Sequence, residues 1–196
     1  LYGLIMNFAF GMNNGLALTV SRYFGAGDEK GMRRAVGWMV TLSVGTSLVL
    51  TATSLLGRDA LLTLLQVPAE TWDGAAAYLT VILLGIPLTM LYNMEAALLR
   101  AVGNSITPLL FLLFSTVLNI GLDAAFMGPL GLGVRGAAIA TVLAQGSSAL
   151  LGVWYILRSY PELRFRPAQL KETTRHAVTH MFGAGLSMGL MSAIYN

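Results

Sequence analysis

Leu109-Leu-Phe-Leu-Leu-Phe-Ser-Thr-Val-Leu-Asn-Ile-Gly-Leu-Asp-Ala-Ala-Phe-Met127 is the stretch that decides the fold. As a helix rising 1.5 Å per residue it extends about 28 Å, close to the roughly 30 Å hydrocarbon core of a bilayer. Near its end stand Asn119 and Asp123, one turn apart and therefore on one face. A carboxylate inside a spanning helix costs about 2.5 to 3.5 kcal/mol to insert, so it marks an ion or proton site first. The plainer alternative is a hydrogen bond between helices, with Asp123 reaching toward the outer interface. The insertion cost favours the functional reading, and the chain reads as a transporter.

Composition supports a membrane protein. Hydrophobic residues make up 56% of the 196 residues and charged residues 11%, where a soluble domain carries about 25% charge. With no cysteine in the sequence, disulfides, cysteine metal sites and thiol catalysis are excluded, and redox compartment is left open. Apolar runs give six expected spans, 1 to 21, 35 to 57, 74 to 97, 107 to 127, 135 to 157 and 177 to 196. No run alternates apolar and polar residues as a barrel strand does, so the expected fold is all-α. Gly11 to Gly15 and Gly185 to Gly189 both have the G-x-x-x-G spacing that lets spanning helices approach closely.

The cations set the topology. Arg22, Lys30, Arg33, Arg34, Arg100, Arg158, Arg164, Arg166, Lys171 and Arg175 fall in the first, third and fifth breaks, and only Arg58 and Arg135 in the second and fourth. The odd breaks therefore face the cytoplasm. That division accounts for the formal charge of +3, and no nucleic-acid partner is expected. The second break, Arg58 to Pro68, reads as a short amphipathic helix at the outer surface, ended by Pro68. The fifth, Ser159 to Arg175 with Pro161 and Pro167, reads as a linker between two membrane units. The chain begins with Leu and stops inside a span, so a fragment is expected, with no signal peptide visible in it.

Depth makes the polar pair more specific. Asp123 precedes the outer turn at Gly128 to Gly133 by about five residues and Thr141 follows it by about eight, so both lie roughly 8 to 12 Å below the boundary. Asn119 lies about 6 Å deeper. Gly136, Ala137, Ala138 and Ala140 keep the returning helix thin at that level. Oxygen ligands suit a hard cation such as sodium, and a buried acid suits a proton equally well.

Five segments in register carry a resemblance: Ser21 to Asp28, Leu91 to Asn93, Leu98 to Pro108, Leu118 to Asp123 and Gly133 to Thr141. In order and spacing they look like the multidrug and toxic compound extrusion family, and the likeness covers almost the whole chain. It implies a polytopic transmembrane helical bundle, one incomplete six-helix lobe of a twelve-helix transporter. Residues 1–158 would form the amino-terminal lobe with helices two to six, 159–175 the cytoplasmic inter-lobe linker, and 176–196 the start of the carboxy-terminal lobe. The implied activity is secondary antiport at the cell membrane, exporting drugs or other organic, often cationic, molecules in exchange for sodium or protons, as a monomer and without a cofactor. In the family a cation site is built partly from an Asn and an Asp one turn apart and a Thr on the next helix. These match Asn119, Asp123 and Thr141, with the Ala137 carbonyl a further ligand; another acidic ligand lies on a first helix that this chain lacks.

Two positions depart from the family pattern. Glu95 stands where a neutral residue is expected, and a reach toward Arg100 at the cytoplasmic face is favoured over a second coupling site. Ile106 replaces a common basic residue, with little expected consequence. Other matches weigh less. Gly131 to Gly136 fits G-x-G-x-x-G but follows no strand, and Gly25-Ala-Gly-Asp28 lies in a basic loop. His176 and His180 lack the Glu of a zinc motif and read as interfacial. No paired acid, metal cluster or nucleophile with base is found, so the chain does not read as an enzyme. Tyr92, Asn93 and Gln145 are the candidate substrate-cavity residues, with Asn7, Asn13, Asn14 and Met94 also plausible; Asn13 and Asn14 are adjacent and cannot both face one direction. A lipid-linked saccharide flippase of the same architecture is the alternative function, and a passive channel would differ in lacking gradient coupling.

Overall fold

In this computed structural model residues 2–164 and 167–195 are described, and every regular element among them is helical. Arg166, counted above on the cytoplasmic side, and Asn196, the last position of the sixth span, lie outside the described residues. The order is α1 (Tyr2–Gly25), α2 (Glu29–Leu56), α3 (Arg58–Leu64), α4 (Trp72–Leu84), α5 (Ile86–Ala101), α6 (Ile106–Met127) and α7 (Gly133–Ser159). A 3-10 turn at Pro161–Leu163, the short α8 (Pro167–Leu170) and α9 (Arg175–Ile194) follow.

Local chemistry sets the boundaries. Gly27 takes φ +70° between α1 and α2, a conformation that side chains with a Cβ rarely adopt. Asp28 then caps α2 by accepting the Gly31 amide at 3.0 Å. The Gly25-Ala-Gly-Asp28 segment is thus a helix-turn-helix junction. Thr174 caps α9 in the same way, accepting the Ala177 amide at 3.3 Å. Gly131 and Gly133 both take φ +60°, so the G-x-G-x-x-G match is the turn between α6 and α7.

α2, α6, α7 and α9 are each long and apolar enough to cross a membrane. The expected span 74 to 97 is not one straight helix: α4 and α5 meet at Gly85 with a bend of 41°. Pro87 explains the break, because it has no amide hydrogen and its ring crowds the carbonyl four residues back. Gly85 sits inside the bend, where a Cβ would come 2.7 Å from Val142 of α7. α1 is 24 residues long but is not among the helices apolar enough to pass as spans. Asn7, Asn13 and Asn14 dilute it, and it packs against α2, α5 and α9. Its Ala9, Met12, Leu16 and Val20 are fully buried. By contrast α6 presents Leu109, Leu110, Leu113, Val117 and Ile120 outward, as a lipid-facing helix does.

One further expectation is corrected. α3 ends at Leu64, before Pro68, because Gln66 turns the chain with φ +55°; only Leu62 of its leucines is buried. The linker at 159–175 is partly docked: Leu163 is buried, and Arg33 Nε of α2 donates to the Glu162 carbonyl at 3.2 Å.

The two G-x-x-x-G segments form one seam. α1 and α9 run antiparallel, and a Cβ on Gly15 would lie 2.7 Å from both the Ala184 carbonyl and Gly185 Cα. Gly11 faces Met188 and Ser192, while Gly189 faces Phe8 and Met12. Bare glycine surfaces let the two backbones touch, the packing that spanning helices use in place of hydrophobic burial.

Candidate cation site and polar contacts of the bundle

α6 and α7 return on each other through the turn at 128–132. Asn119 Nδ2 on α6 donates to Thr141 Oγ1 on α7 at 3.3 Å, and Thr141 Oγ1 donates in turn to the Ala137 carbonyl at 3.0 Å. Depth counted from the sequence set Asp123 against Thr141; in the structure Asn119 makes that contact. The antiparallel register explains the difference, since pairing 119 with 141 puts Asp123, one turn nearer the 128–132 connection, level with Ala137. Gly136, Ala138 and Ala140 are buried in the helix contacts around it.

Asp123 Oδ1 is buried and has no hydrogen-bond partner. An uncompensated oxygen of this kind is costly unless a cation, proton or water meets it. The surrounding donors fit a monovalent hard cation or a proton: one carboxylate, the Asn119 amide oxygen left free by donation through Nδ2, the Thr141 hydroxyl and the Ala137 carbonyl. Groups of three or more His, Cys, Asp or Glu able to hold a metal are absent among the described residues, so a site of clustered acids for a divalent ion is not formed here.

A second polar contact joins α5 to α7. Thr89 Oγ1 donates to Gln145 Oε1 at 2.7 Å, and Asn93 Nδ2 donates to the Thr89 carbonyl at 2.8 Å. Asn93 and Gln145 therefore meet through Thr89, a residue without any mark in the sequence beyond its place one turn before Asn93. Tyr92 is partly exposed and makes no hydrogen bond in this group. Asn13 and Asn14 do point apart: Asn13 is fully buried and accepts from Ser43 of α2 at 3.1 Å, while Asn14 accepts from Arg100 of α5 at 3.0 Å.

Arg100 also stacks over the Phe10 ring, 5.4 Å from its centroid. Its guanidinium is thus committed to α1, and the expected reach of Glu95 toward Arg100 does not occur. Five residues along a helix turn the side chains about 140° apart, so Glu95 faces α2 and α7 instead. His176 and His180 are exposed in the first turns of α9, consistent with an interfacial place.

Several helices long and apolar enough to cross a membrane, one of them carrying a carboxylate within its length, define a polytopic membrane protein. The sequence profile of the MatE family matches residues 1–125, and the chain belongs to that family of multi-pass cell-membrane proteins. It is 34% identical over 154 residues to the "Probable multidrug resistance protein YpnP" of Bacillus subtilis (strain 168), covering 79% of this chain and 35% of that protein. Among solved structures it resembles an inward-facing multidrug resistance MATE family transporter of the MOP superfamily, with TM-score 0.90, 25% identity, and coverage of 98% of this chain and 44% of that one. An outward-facing conformation of such a transporter gives TM-score 0.88 at 25% identity, covering 97% and 42%. The chain spans less than half the length of each of these relatives.

Proposed function

We propose that this chain supplies most of the amino-terminal lobe of a secondary antiporter that exports small organic molecules in exchange for sodium ions or protons. Residues 1–158 belong to that lobe, 159–175 to the cytoplasmic link and 176–196 to the beginning of the second lobe. The observation that carries the reading is Asp123 Oδ1, buried without a partner beside the Asn119–Thr141–Ala137 chain of hydrogen bonds. Asn119, Asp123, Thr141 and the Ala137 carbonyl bind the coupling ion or proton. Tyr92, Asn93 and Gln145 belong to the substrate path.

Ion binding at Asp123 compensates its orphaned oxygen and changes how α6 packs on α7. Release restores the other packing, which links inward flux of the ion to outward flux of substrate. A membrane potential supplies about 2.3 kcal/mol per charge per 100 mV, enough to bias such a two-state element. The names of relatives such as YpnP support multidrug export as the class of cargo. The test is efflux by the full-length protein in proteoliposomes under an imposed sodium or proton gradient. Asp123→Asn abolishes coupled efflux on this reading; coupled efflux at the wild-type rate would sink the site assignment.

A further inference from the structure

Glu95 is not used by the site just described. It is 3% exposed, and its Oε1 is buried without a hydrogen-bond partner. It lines a half-open cleft of about 400 Å³ between α2, α5 and α7, with Leu163 of the 3-10 turn among its lining residues. The walls around the carboxylate are apolar, with Val36, Val40, Leu91, Met94 and Val153 among them. Among the described residues the other charged group of the lining is Arg164, which is exposed and whose guanidinium donates to the Leu157 carbonyl.

The room for this carboxylate is made by a glycine. A Cβ on Gly152 of α7 would collide with Glu95 Oε2. The α7 backbone thus stands directly against this acid, whose Oε1 accepts no hydrogen bond. An inorganic cation needs several oxygens around it, and Glu95 is the one acid the cleft presents. A cleft of this size with apolar walls suits a small organic molecule, and one uncompensated carboxylate selects a single positive charge.

We propose that the cleft between α2, α5 and α7 binds a lipophilic organic monocation whose charge pairs with Glu95, separately from the Asn119–Asp123–Thr141 group. The apolar body of the ligand lies against the valines and Met94, and its cationic centre meets the carboxylate from the side of the cleft, opposite the Gly152 backbone. By the distribution of cations along the chain, this end of the bundle faces the cytoplasm. The site is therefore accessible from the side on which a compound for export is taken up. The proposal does not depend on Asp123 as a coupling site, because it concerns equilibrium binding without any gradient.

The test uses the full-length protein in nanodiscs and equilibrium dialysis of tetraphenylphosphonium, with neutral triphenylphosphine oxide as the uncharged counterpart and empty nanodiscs subtracted. Glu95→Gln keeps the shape and removes the charge, and it weakens tetraphenylphosphonium binding by about tenfold or more. The same variant leaves triphenylphosphine oxide within about twofold. Val153→Trp fills the cleft from another wall with the carboxylate intact, and it weakens both compounds. Wild-type tetraphenylphosphonium affinity in both variants overturns the proposal. So does an equal loss of the cation and the neutral compound in Glu95→Gln, which would assign Glu95 to packing alone.

Discussion

Asn119 on α6 and Thr141 on α7 are joined across 3.3 Å, and the Thr141 hydroxyl donates its own hydrogen bond to the Ala137 carbonyl at 3.0 Å. The hydroxyl therefore has its donor spent within α7 and its lone pairs turned toward α6. Thr141→Val keeps the β-branched shape and removes this oxygen. A hydrogen-bonding group of this kind contributes about 0.5 to 1.5 kcal/mol, so the half-saturating concentration of the coupling ion rises roughly 2- to 10-fold. Thr141→Ser restores it. Proteoliposome efflux titrated against sodium and against pH measures the effect, and an unchanged ion dependence in Thr141→Val removes Thr141 from the site.

The α1–α9 seam separates two kinds of glycine. Gly15→Ala places a Cβ 2.7 Å from backbone atoms of Ala184 and Gly185, which cannot move aside as a side chain can. Overpacking of this sort costs about 1 to 3 kcal/mol, more than the roughly 1 kcal/mol that alanine gains over glycine in a helix. Gly45 of α2 has nothing within 4 Å of its Cβ position, so Gly45→Ala keeps only the helix gain. The thermal unfolding midpoint in detergent falls for Gly15→Ala and holds or rises for Gly45→Ala; equal shifts in one direction would contradict the seam.

Gly152 and Glu95 form a steric pair across α7 and α5. Gly152→Ala by itself forces the carboxylate aside and destabilises by about 1 to 3 kcal/mol. In a Glu95→Ala background the obstacle is gone, so the same substitution costs little. A double-mutant cycle on thermal or denaturant unfolding reads the coupling, which neighbours in contact show at about 0.5 to 3 kcal/mol. Additive effects would mean that the two residues do not meet.

Asn13 and Ser43 tie α1 to α2 where both are nearly inaccessible. Asn13 also donates to the Ala9 carbonyl of its own helix at 2.9 Å. Interhelical bonds of this type inside membranes average about 0.6 kcal/mol and reach roughly 1.7. Asn13→Ala and Ser43→Ala are each destabilising, with a coupling energy within that range. Zero coupling by chemical denaturation would show that the bond contributes nothing beyond packing.

The expected positions of the spans and the acid within one of them come directly from the sequence. Apolar run length and the cost of a buried charge are properties of the local chain, and bilayer thickness converts the first into a helix. The turn between α6 and α7 and the opposed directions of Asn13 and Asn14 were legible for the same reason, because both are set by the local chain. The third span was expected as one helix, and its 41° bend around Val142 depends on the helix that packs there. α1 is the converse case. Its asparagines lower its apolarity, and only its burial against α2, α5 and α9 shows why that is tolerated.

Tertiary structure alone decided which partners the polar residues find. Asn119 rather than Asp123 meets Thr141 because the register of two antiparallel helices is set by the turn and the packing between them, not by depth counted on one strand of sequence. Glu95 turns from Arg100 because Arg100 is held by Asn14 and Phe10 on another helix. The two G-x-x-x-G segments lie 170 residues apart from Gly15 to Gly185, and no local pattern announces that they face each other. Hydrophobicity and helical period act over a few turns of one chain, so the sequence determined the helices and the charge buried among them. Side-chain pairing acts across helices, so the fold determined where each charge and each bare glycine surface was answered.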